Sequence, residues 1–361
     1  MKFKDVLDIR NGRNQSQVEN PSGIYPIYGS GGVMGYADAY LCEAETVVLG
    51  RKGNINNPIF VEEPFWNVDT AFGLVANKEI LLPKYLYYFC VQYDFDRLNT
   101  TVTIPSLTKA NLLNITIELP TIDQQHMIVS LLDKITTLIS LHKQQLAKLD
   151  ELVKARFVEM FGDPVQNPFE WITKPLLEMG HCKNGMNFHT GDSGIEIHCL
   201  GVGDFKEYSV IDGTDSLPTV SLNEVPPKAS MLQDGDIVFV RSNGNKALVG
   251  RCLIVYPHKT PTTYSGFCIR YRLTSGEVDA IYLLYVLKTD SMRKKMAGRG
   301  ANIQNLNQQI LATLDIPTPP LELQEQFAAF VEQVNKSKLA IQQSLDKIEV
   351  LRQSLMQKYF G

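Results

Sequence analysis

This sequence is short of cysteine, of one-signed charge, of long apolar runs and of catalytic signatures. Among 361 residues there are six cysteines (Cys42, Cys90, Cys182, Cys199, Cys252, Cys268) and no Cys-x-x-Cys pair. They are too sparse for a disulfide scaffold and are expected as buried, reduced thiols, which fits a cytoplasmic location. The N-terminus, Met1-Lys2-Phe3-Lys4-Asp5-Val6, has no apolar signal core, and the longest greasy run, Ile80 to Val91, is broken by Pro83 and Lys84. No membrane span and no export are therefore expected. Lys+Arg 35 against Asp+Glu 39 leaves a net charge of -4. That excludes a chain-wide positive field able to hold nucleic acid or an anionic membrane; local patches or a partner would have to supply it.

Enzyme motifs are missing as well. An adenine methyltransferase needs Asp or Asn followed by Pro-Pro-aromatic, and the nearest approach, Asn57-Pro58-Ile59-Phe60, lacks the second proline and any Phe-x-Gly-x-Gly. No Gly-x4-Gly-Lys-Ser/Thr loop cradles phosphates, and Gly29, Gly31, Gly32 and Gly35 lack the spacing of a dinucleotide fingerprint. The pairs His181-Cys182 and His198-Cys199 are sequential neighbours that would diverge on a strand, and no second limb completes a zinc site. A Gly-x-Ser-x-Gly elbow is absent too. No catalytic residue, cofactor or metal is expected in this chain.

What the sequence does have is a copy of itself. A gap-free shift of 199 residues places Ile104 on Ile303, Leu107 on Leu306, Ile117 on Ile316, Pro120 on Pro319, Gln125 on Gln324, Leu146 on Leu345, Leu152 on Leu351 and Phe161-Gly162 on Phe360-Gly361. Upstream, Val47-Val48-Leu49-Gly50-Arg51 matches Ile237-Val238-Phe239-Val240-Arg241, and Tyr85-Leu86 matches Tyr282-Leu283. The smaller offsets there mean loop insertions. Four segments follow: a variable domain over 1–118, a long helix over 119–162, a second variable domain over 163–316 and a second helix over 317–361.

The helices are read from period. Ile128, Leu131, Leu132, Ile135, Leu138, Ile139, Leu146, Leu149, Leu152, Val153, Phe157 and Met160 recur at three and four without Gly or Pro; the second copy repeats this from Phe327 to Tyr359. Thr121 to Gln124 has capping-box spacing, Pro319-Pro320 precedes the second helix, and both helices stop at Phe-Gly. Such a rod, about 57 Å long at 1.5 Å per residue, needs a partner of equal length, and the other copy supplies it as an antiparallel coiled coil. The stripes weaken at His142, Gln145, Ser337 and Lys338, polar positions that either fix register or face another protein. Five acidic and five basic residues on each helix describe a balanced, solvated surface.

The variable domains carry short β-prone runs (Thr46 to Leu49, Ile237 to Val240, Leu253 to Tyr256, Phe267 to Leu273) and helices at Tyr85 to Val91 and Ala280 to Leu287. The fold class is α+β, two repeated domains with a pair of long helices.

Together these features resemble the specificity subunit of type I restriction-modification systems, over essentially the whole chain. The resemblance rests on Ile316-Pro317-Thr318-Pro319-Pro320-Leu321-Glu322-Leu323-Gln324, on its first copy Leu119 to Gln125 without the second proline, and on the linker Met160 to Pro164 with Asn167-Pro168-Phe169-Glu170-Trp171. Arg51-Lys52-Gly53-Asn54-Ile55 and Gly235 to Gly244 are similar to the family's strand-then-loop signatures. The resemblance implies two target-recognition domains in a pseudo-twofold repeat, each reading half of a bipartite site in double-stranded DNA. It implies helices that fix the spacer and dock two copies of an adenine-specific modification subunit over Gln125 to Met160 and Gln324 to Tyr359, with restriction or translocase subunits alongside. A coiled-coil adaptor that binds only proteins is the competing reading.

Residues 1–118 carry 10 basic and 13 acidic residues and 165–316 carry 15 of each, so duplex affinity would be shared with partners. The DNA-contact candidates are Arg51, Lys52, Asn54 and Asn56 in the first domain and Arg241, Ser242, Asn243 and Lys246 in the second. Arg51 and Arg241 either face base edges or pin a turn common to both copies. Ser106, Lys109, Asn305 and Gln308, near the helix roots, either touch the DNA backbone or cap helices. Lys288, Arg293, Lys294, Lys295 and Arg299 form either a phosphate patch or a solvated helix surface.

Overall fold

The computed structural model describes residues 1–99, 104–189, 191–205, 209–297 and 305–361. The chain forms two compact units, residues 1–145 with 341–361, and residues 146–340. Each unit thus combines one variable domain with part of each long helix.

In the first unit, α1 (Phe3–Val6) leads into β1 (Leu7–Asn11), β2 (Tyr25–Gly29), β3 (Gly32–Ala37), β4 (Thr46–Gly50), β5 (Ile59–Val61), β6 (Trp66–Asn67) and β7 (Ala71–Ala76). The main sheet has the order β1-β7-β4-β5 and a small sheet the order β3-β2-β6. Every residue of β4 is buried, as a run of β-branched and apolar residues inside a sheet covered on both faces should be. Then come α2 (Pro83–Gln92), α3 (Lys109–Leu113) and α4 (Ile122–Phe161).

The second unit contains β8 (Thr173–Pro175), β9 (Gly180–Asn184), β10 (Ile195–Leu200), β11 (Val210–Asp212), β12 (Thr219–Leu222), β13 (Asp236–Val240), β14 (Cys252–Tyr256), β15 (Thr262–Tyr264) and β16 (Cys268–Leu273). They are followed by α5 (Ala280–Lys288), α6 (Asp290–Ala297), α7 (Gln308–Ala312), β17 (Asp315–Pro317) and α8 (Leu321–Phe360). Here the main sheet runs β9-β16-β13-β14-β11 and the small one β12-β10-β15, while β17 pairs with β8. Apart from the extra edge strand β11 and the β17–β8 pair, this is the topology of the first unit. It includes one parallel pairing inside each small sheet, β2 with β6 and β10 with β15. The repeat seen in sequence is a repeat of fold.

The long helices are 40 residues each, about 60 Å at 1.5 Å per residue. Thr121 and Gln124 form the expected reciprocal cap at the start of α4 (3.0 and 3.3 Å). At its end Gly162, at φ +73°, supplies the left-handed residue that stops a helix, and its N–H donates to Val158 O (2.9 Å). The helices run antiparallel within each unit. In the first, Ile128 and Leu132 of α4 share a core with Met356 of α8, and Lys143 pairs with Glu349 (2.9 Å). In the second, Phe157 of α4 meets Phe327 of α8 (ring centroids 5.5 Å), and Lys338 pairs with Asp150 (2.6 Å). Asp150 and Glu349 are repeat equivalents, so each acid takes a lysine from the opposite helix.

Each long helix starts on its own copy's domain and ends on the other's. Gln125, fully buried, accepts from Leu82 N–H (2.9 Å) and donates to Ile80 O (2.9 Å) and Pro120 O (3.0 Å). Gln324, equally buried, accepts from Asp279 N–H (2.9 Å) and donates to Glu277 O (3.2 Å) and Pro319 O (2.7 Å). These glutamines latch each helix start to the N-terminus of α2 or α5, where backbone groups lack intrahelical partners. The helix ends are exchanged: Phe161 of α4 packs on Tyr282 (4.7 Å) and Phe360 of α8 on Tyr85 (4.9 Å).

All six cysteines are free, five of them buried and Cys182 partly so. Among the described residues no helix is long and apolar enough to cross a membrane.

Candidate nucleic-acid interface

The central strands β4 and β13 end at matching points, and an arginine follows each. Arg51 N–H donates to Thr70 O (2.8 Å) and its carbonyl accepts from Leu107 N–H (2.9 Å). Arg241 N–H donates to Phe267 O (2.8 Å) and its carbonyl accepts from Leu306 N–H (2.7 Å). The next residue in each copy makes a single antiparallel bridge, Lys52 with Ser106 and Ser242 with Asn305. One backbone frame, built twice, therefore joins the exit of the central strand to the segment before α3 or α7.

The shared arginines tie that frame together. Arg51 Nη1 donates to Asp69 O at a long 3.5 Å, with its guanidinium 5.7 Å from the Phe72 ring centroid. Arg241 Nη1 donates to Gly266 O (3.3 Å). Each contact holds the exit turn to the residues just before the neighbouring strand, β7 or β16. Arg51 is exposed and Arg241 half-buried, so both keep a solvent-facing side. Turn-pinning and outward presentation coexist in one side chain.

The remaining candidates divide by how their side chains are used. Asn54 and Lys52 are exposed in the loop over 51–58, which Gly53 N–H ties to Pro105 O (3.0 Å). Asn56 spends both ends of its amide on the domain, accepting from Phe95 N–H (2.8 Å) and donating to Asp96 (2.8 Å). In the second copy Asn243 accepts from Asn245 N–H (2.7 Å), Asn245 in turn caps a short turn through Ala247 N–H (3.1 Å), and Lys246 is exposed on that turn. This loop spans 241–251 and is propped by Arg293, which donates to Ala247 O (3.1 Å) and Val249 O (3.2 Å).

At the helix roots, capping falls to Thr108 and Asn307 (acceptors at 3.2 and 2.8 Å) and not to the four candidates beside them. Lys109 reaches Ile9 O on β1 (2.5 Å), and Gln308 reaches Asn184 on β9 (3.4 Å), again equivalent strands. Ser106 N–H donates to Asn99 Oδ1 (3.1 Å), and Asn305 is exposed. Arg299 lies outside the described residues.

Of the basic run, Lys294 and Lys295 are exposed, whereas Lys288 and Arg293 turn inward. Sequence reasoning did not foresee that Lys154, Arg251 and Lys338 converge on those two. They come from separate elements, and no linear signal marks them. His181-Cys182 and His198-Cys199 sit on β9 and β10, where successive side chains face opposite ways. Among the described residues no group of three His, Cys, Asp or Glu could hold a metal ion.

The family model described as "Type I restriction modification DNA specificity domain" matches residues 1–151 and 207–351, one match in each repeat. The chain is 23% identical over 342 residues to the type I restriction enzyme StySPI specificity subunit of Salmonella potsdam, covering 86% of this chain and 72% of that one. It is also 23% identical over 336 residues to the MjaVIII specificity subunit of Methanocaldococcus jannaschii, covering 87% and 75%. In fold it is similar to the crystal structure of the type I restriction-modification S subunit from M. genitalium, with a TM-score of 0.64 at 15% identity over 100% of this chain and 95% of that one. With the family matched in both copies of a duplicated strand-exit frame, the chain belongs to the DNA specificity subunits of type I restriction-modification systems.

Proposed function

We propose that this chain reads a bipartite target in double-stranded DNA, one half-site per unit, and directs adenine methylation and restriction carried out by partner subunits. The observation that carries the reading is the twice-built frame with unlike side chains on it. At equivalent positions Lys52 stands against Ser242, Asn54 against Gly244, Ser106 against Asn305 and Lys109 against Gln308. The loop that follows has eight residues in one copy (51–58) and eleven in the other (241–251). Two identical frames with different readers suit two half-sites of different sequence, because base edges are told apart by the donors and acceptors presented to them.

Arg51, Lys52 and Asn54 would face one half-site, and Arg241, Ser242, Asn243, Lys246 and Asn305 the other. Asn56, Ser106 and Lys109 would act through the loop's shape and the DNA backbone. The helices set the unread spacer and receive two copies of a modification subunit. Leu152 and Leu351, repeat equivalents exposed at 48% and 49%, are the matching apolar contacts for two identical partners. Methyl transfer and cleavage then belong to the partners, and this chain works in the cytoplasm without a cofactor of its own.

The test is single-molecule sequencing of native DNA from cells with and without the gene, scored for N6-methyladenine. A split motif with an unspecified spacer should lose methylation on deletion. Unchanged methylation, with an intact modification partner expressed, would leave the protein-binding adaptor as the reading to pursue.

A further inference from the structure

Lys288 and Arg293 turn onto a cavity of about 390 Å³ in the second unit, between the latter half of α4, the start of β14 and the junction of α5 with α6. Lys154 reaches it from α4, Lys338 from α8 and Arg251 from the residue before β14. Among the described residues, five cations thus face two carboxylates, Asp150 and Asp290. Asp150 is engaged by Lys338 (2.6 Å). Among the described residues, Lys154, Arg251, Lys288 and Arg293 make no ion pair. The Lys288 ammonium donates to the Ser209 hydroxyl and lies 5.8 Å from the Tyr285 ring centroid.

A half-buried ammonium among like charges is costly unless an anion joins it. Burial is the largest cause pulling Lys288 below its ordinary lysine value; Lys338 and Lys154 push the same way, against Cys252 and Asp150. The cavity lies at the small end of the ~300–1,000 Å³ typical of small-molecule sites. Its walls include Phe157, Phe205 and Tyr285, so it is concave and partly aromatic, not a flat basic face of the kind that tracks a duplex.

We infer that this cavity binds one small phosphate-class anion, either free phosphate or the phosphate of a mononucleotide, with Lys288, Lys154 and Arg251 as its cationic ligands. The site is single. In the first repeat the positions of Lys288, Lys154 and Lys338 are held by Val91, Gln353 and Ile139, none of them cationic.

Calorimetric titration of the full chain with inorganic phosphate, and separately with AMP, in chloride at matched ionic strength tests this. One saturable site per chain is expected, weakened at least tenfold by Lys288→Met and by Lys154→Gln; the second variant sits on an exposed helix position and spares the core. Tighter binding of AMP identifies a nucleotide, and equal affinities identify the phosphate group alone. No saturation with either anion overturns the inference, as does affinity unchanged in both variants. It is also overturned if a DNA duplex of arbitrary sequence displaces phosphate while either variant lowers the salt slope of duplex binding by about 1, since the cavity would then hold the DNA backbone.

Discussion

The two units share strand order and register but not interior chemistry. In the first, β4 and β7 bury Thr46 and place Gly73 where a Cβ would come within 2.6 Å of Cys42 Sγ. At the equivalent positions β13 and β16 bury Asp236 and Arg270, both 1% exposed. Arg272, standing where the first unit has Val75, clamps Asp236 through Nε and Nη2 (2.7 Å each) and also donates to Met231 O (3.0 Å). Arg270 comes only to 3.9 Å of Asp236, and its Nε and Nη1 have no hydrogen-bond partner among the described residues. One topology therefore tolerates either a small, neutral centre or a buried cluster with one more positive than negative charge. What fixes the fold is the pairing pattern and the latched helices.

The largest expected effect follows from that contrast. Asp236→Ala would leave two arginines without their carboxylate, one of them fully buried, and should cost about 3 to 5 kcal/mol. Thr46→Ala removes one hydrogen bond, from Oγ1 to Glu43 O (2.8 Å), and should cost about 1 kcal/mol. Urea unfolding of the full chain, followed by probes in each unit, compares them. Equal losses would mean that the buried charges are solvated in solution and that the two interiors are energetically alike. Arg270→Met sharpens the point. Replacing the poorly paired guanidinium with an apolar chain of similar length should leave the second unit as stable as before or more so.

The next effect should be the same in both units. Gln125→Ala and Gln324→Ala each strand one backbone N–H and two carbonyls at a buried helix start, for an expected loss of about 2 to 3 kcal/mol apiece. Matched losses would show the latch to be the common element under divergent interiors. A loss in one unit alone would mean that water replaces the glutamine in the other.

Much of this was readable from the residues. The three-and-four apolar spacing located both long helices, and runs such as Thr46 to Leu49 and Ile237 to Val240 became the central strands because β-branched residues between turn signals have few other options. The 199-residue shift paired Gln125 with Gln324 and Phe161 with Phe360, and the structure gives both pairs equivalent surroundings. The shift carried no information on which domain receives each helix end. Exchange and simple tandem packing bury the same stripe, and it is the exchange that makes the compact units divide both helices near residues 145 and 340. The interface was legible as loops after strands but not side chain by side chain. Asn56 resembles its polar neighbours in sequence, yet folding commits its amide to Phe95 and Asp96. The cationic cavity was the least legible feature, since Lys154, Arg251, Lys288, Arg293 and Lys338 lie up to 184 positions apart.

The smallest expected effect separates the two roles of the shared arginines. If Arg241 only pins its turn, Arg241→Lys loses the planar fork but keeps the charge, and the loop over 241–251 should loosen with a general fall in DNA affinity at the second half-site. If the guanidinium also reads a base, Arg241→Ala should cost about 1 to 3 kcal/mol of discrimination at one base pair of that half-site and leave preference at the other intact. Arg51→Ala should do the same for the first half-site. Its weaker anchoring, at 3.5 Å against 3.3 Å and with the side chain more exposed, leaves it freer to face DNA, so its substitution should disturb the domain less for a given loss of readout. Competition binding of the chain with its modification partner, using duplexes altered one base pair at a time in each half-site, measures both variants. Uniform loss across both half-sites from either substitution would contradict two independent readers. Loss confined to the half-site of the altered unit would tie each copy of the frame to its own stretch of DNA.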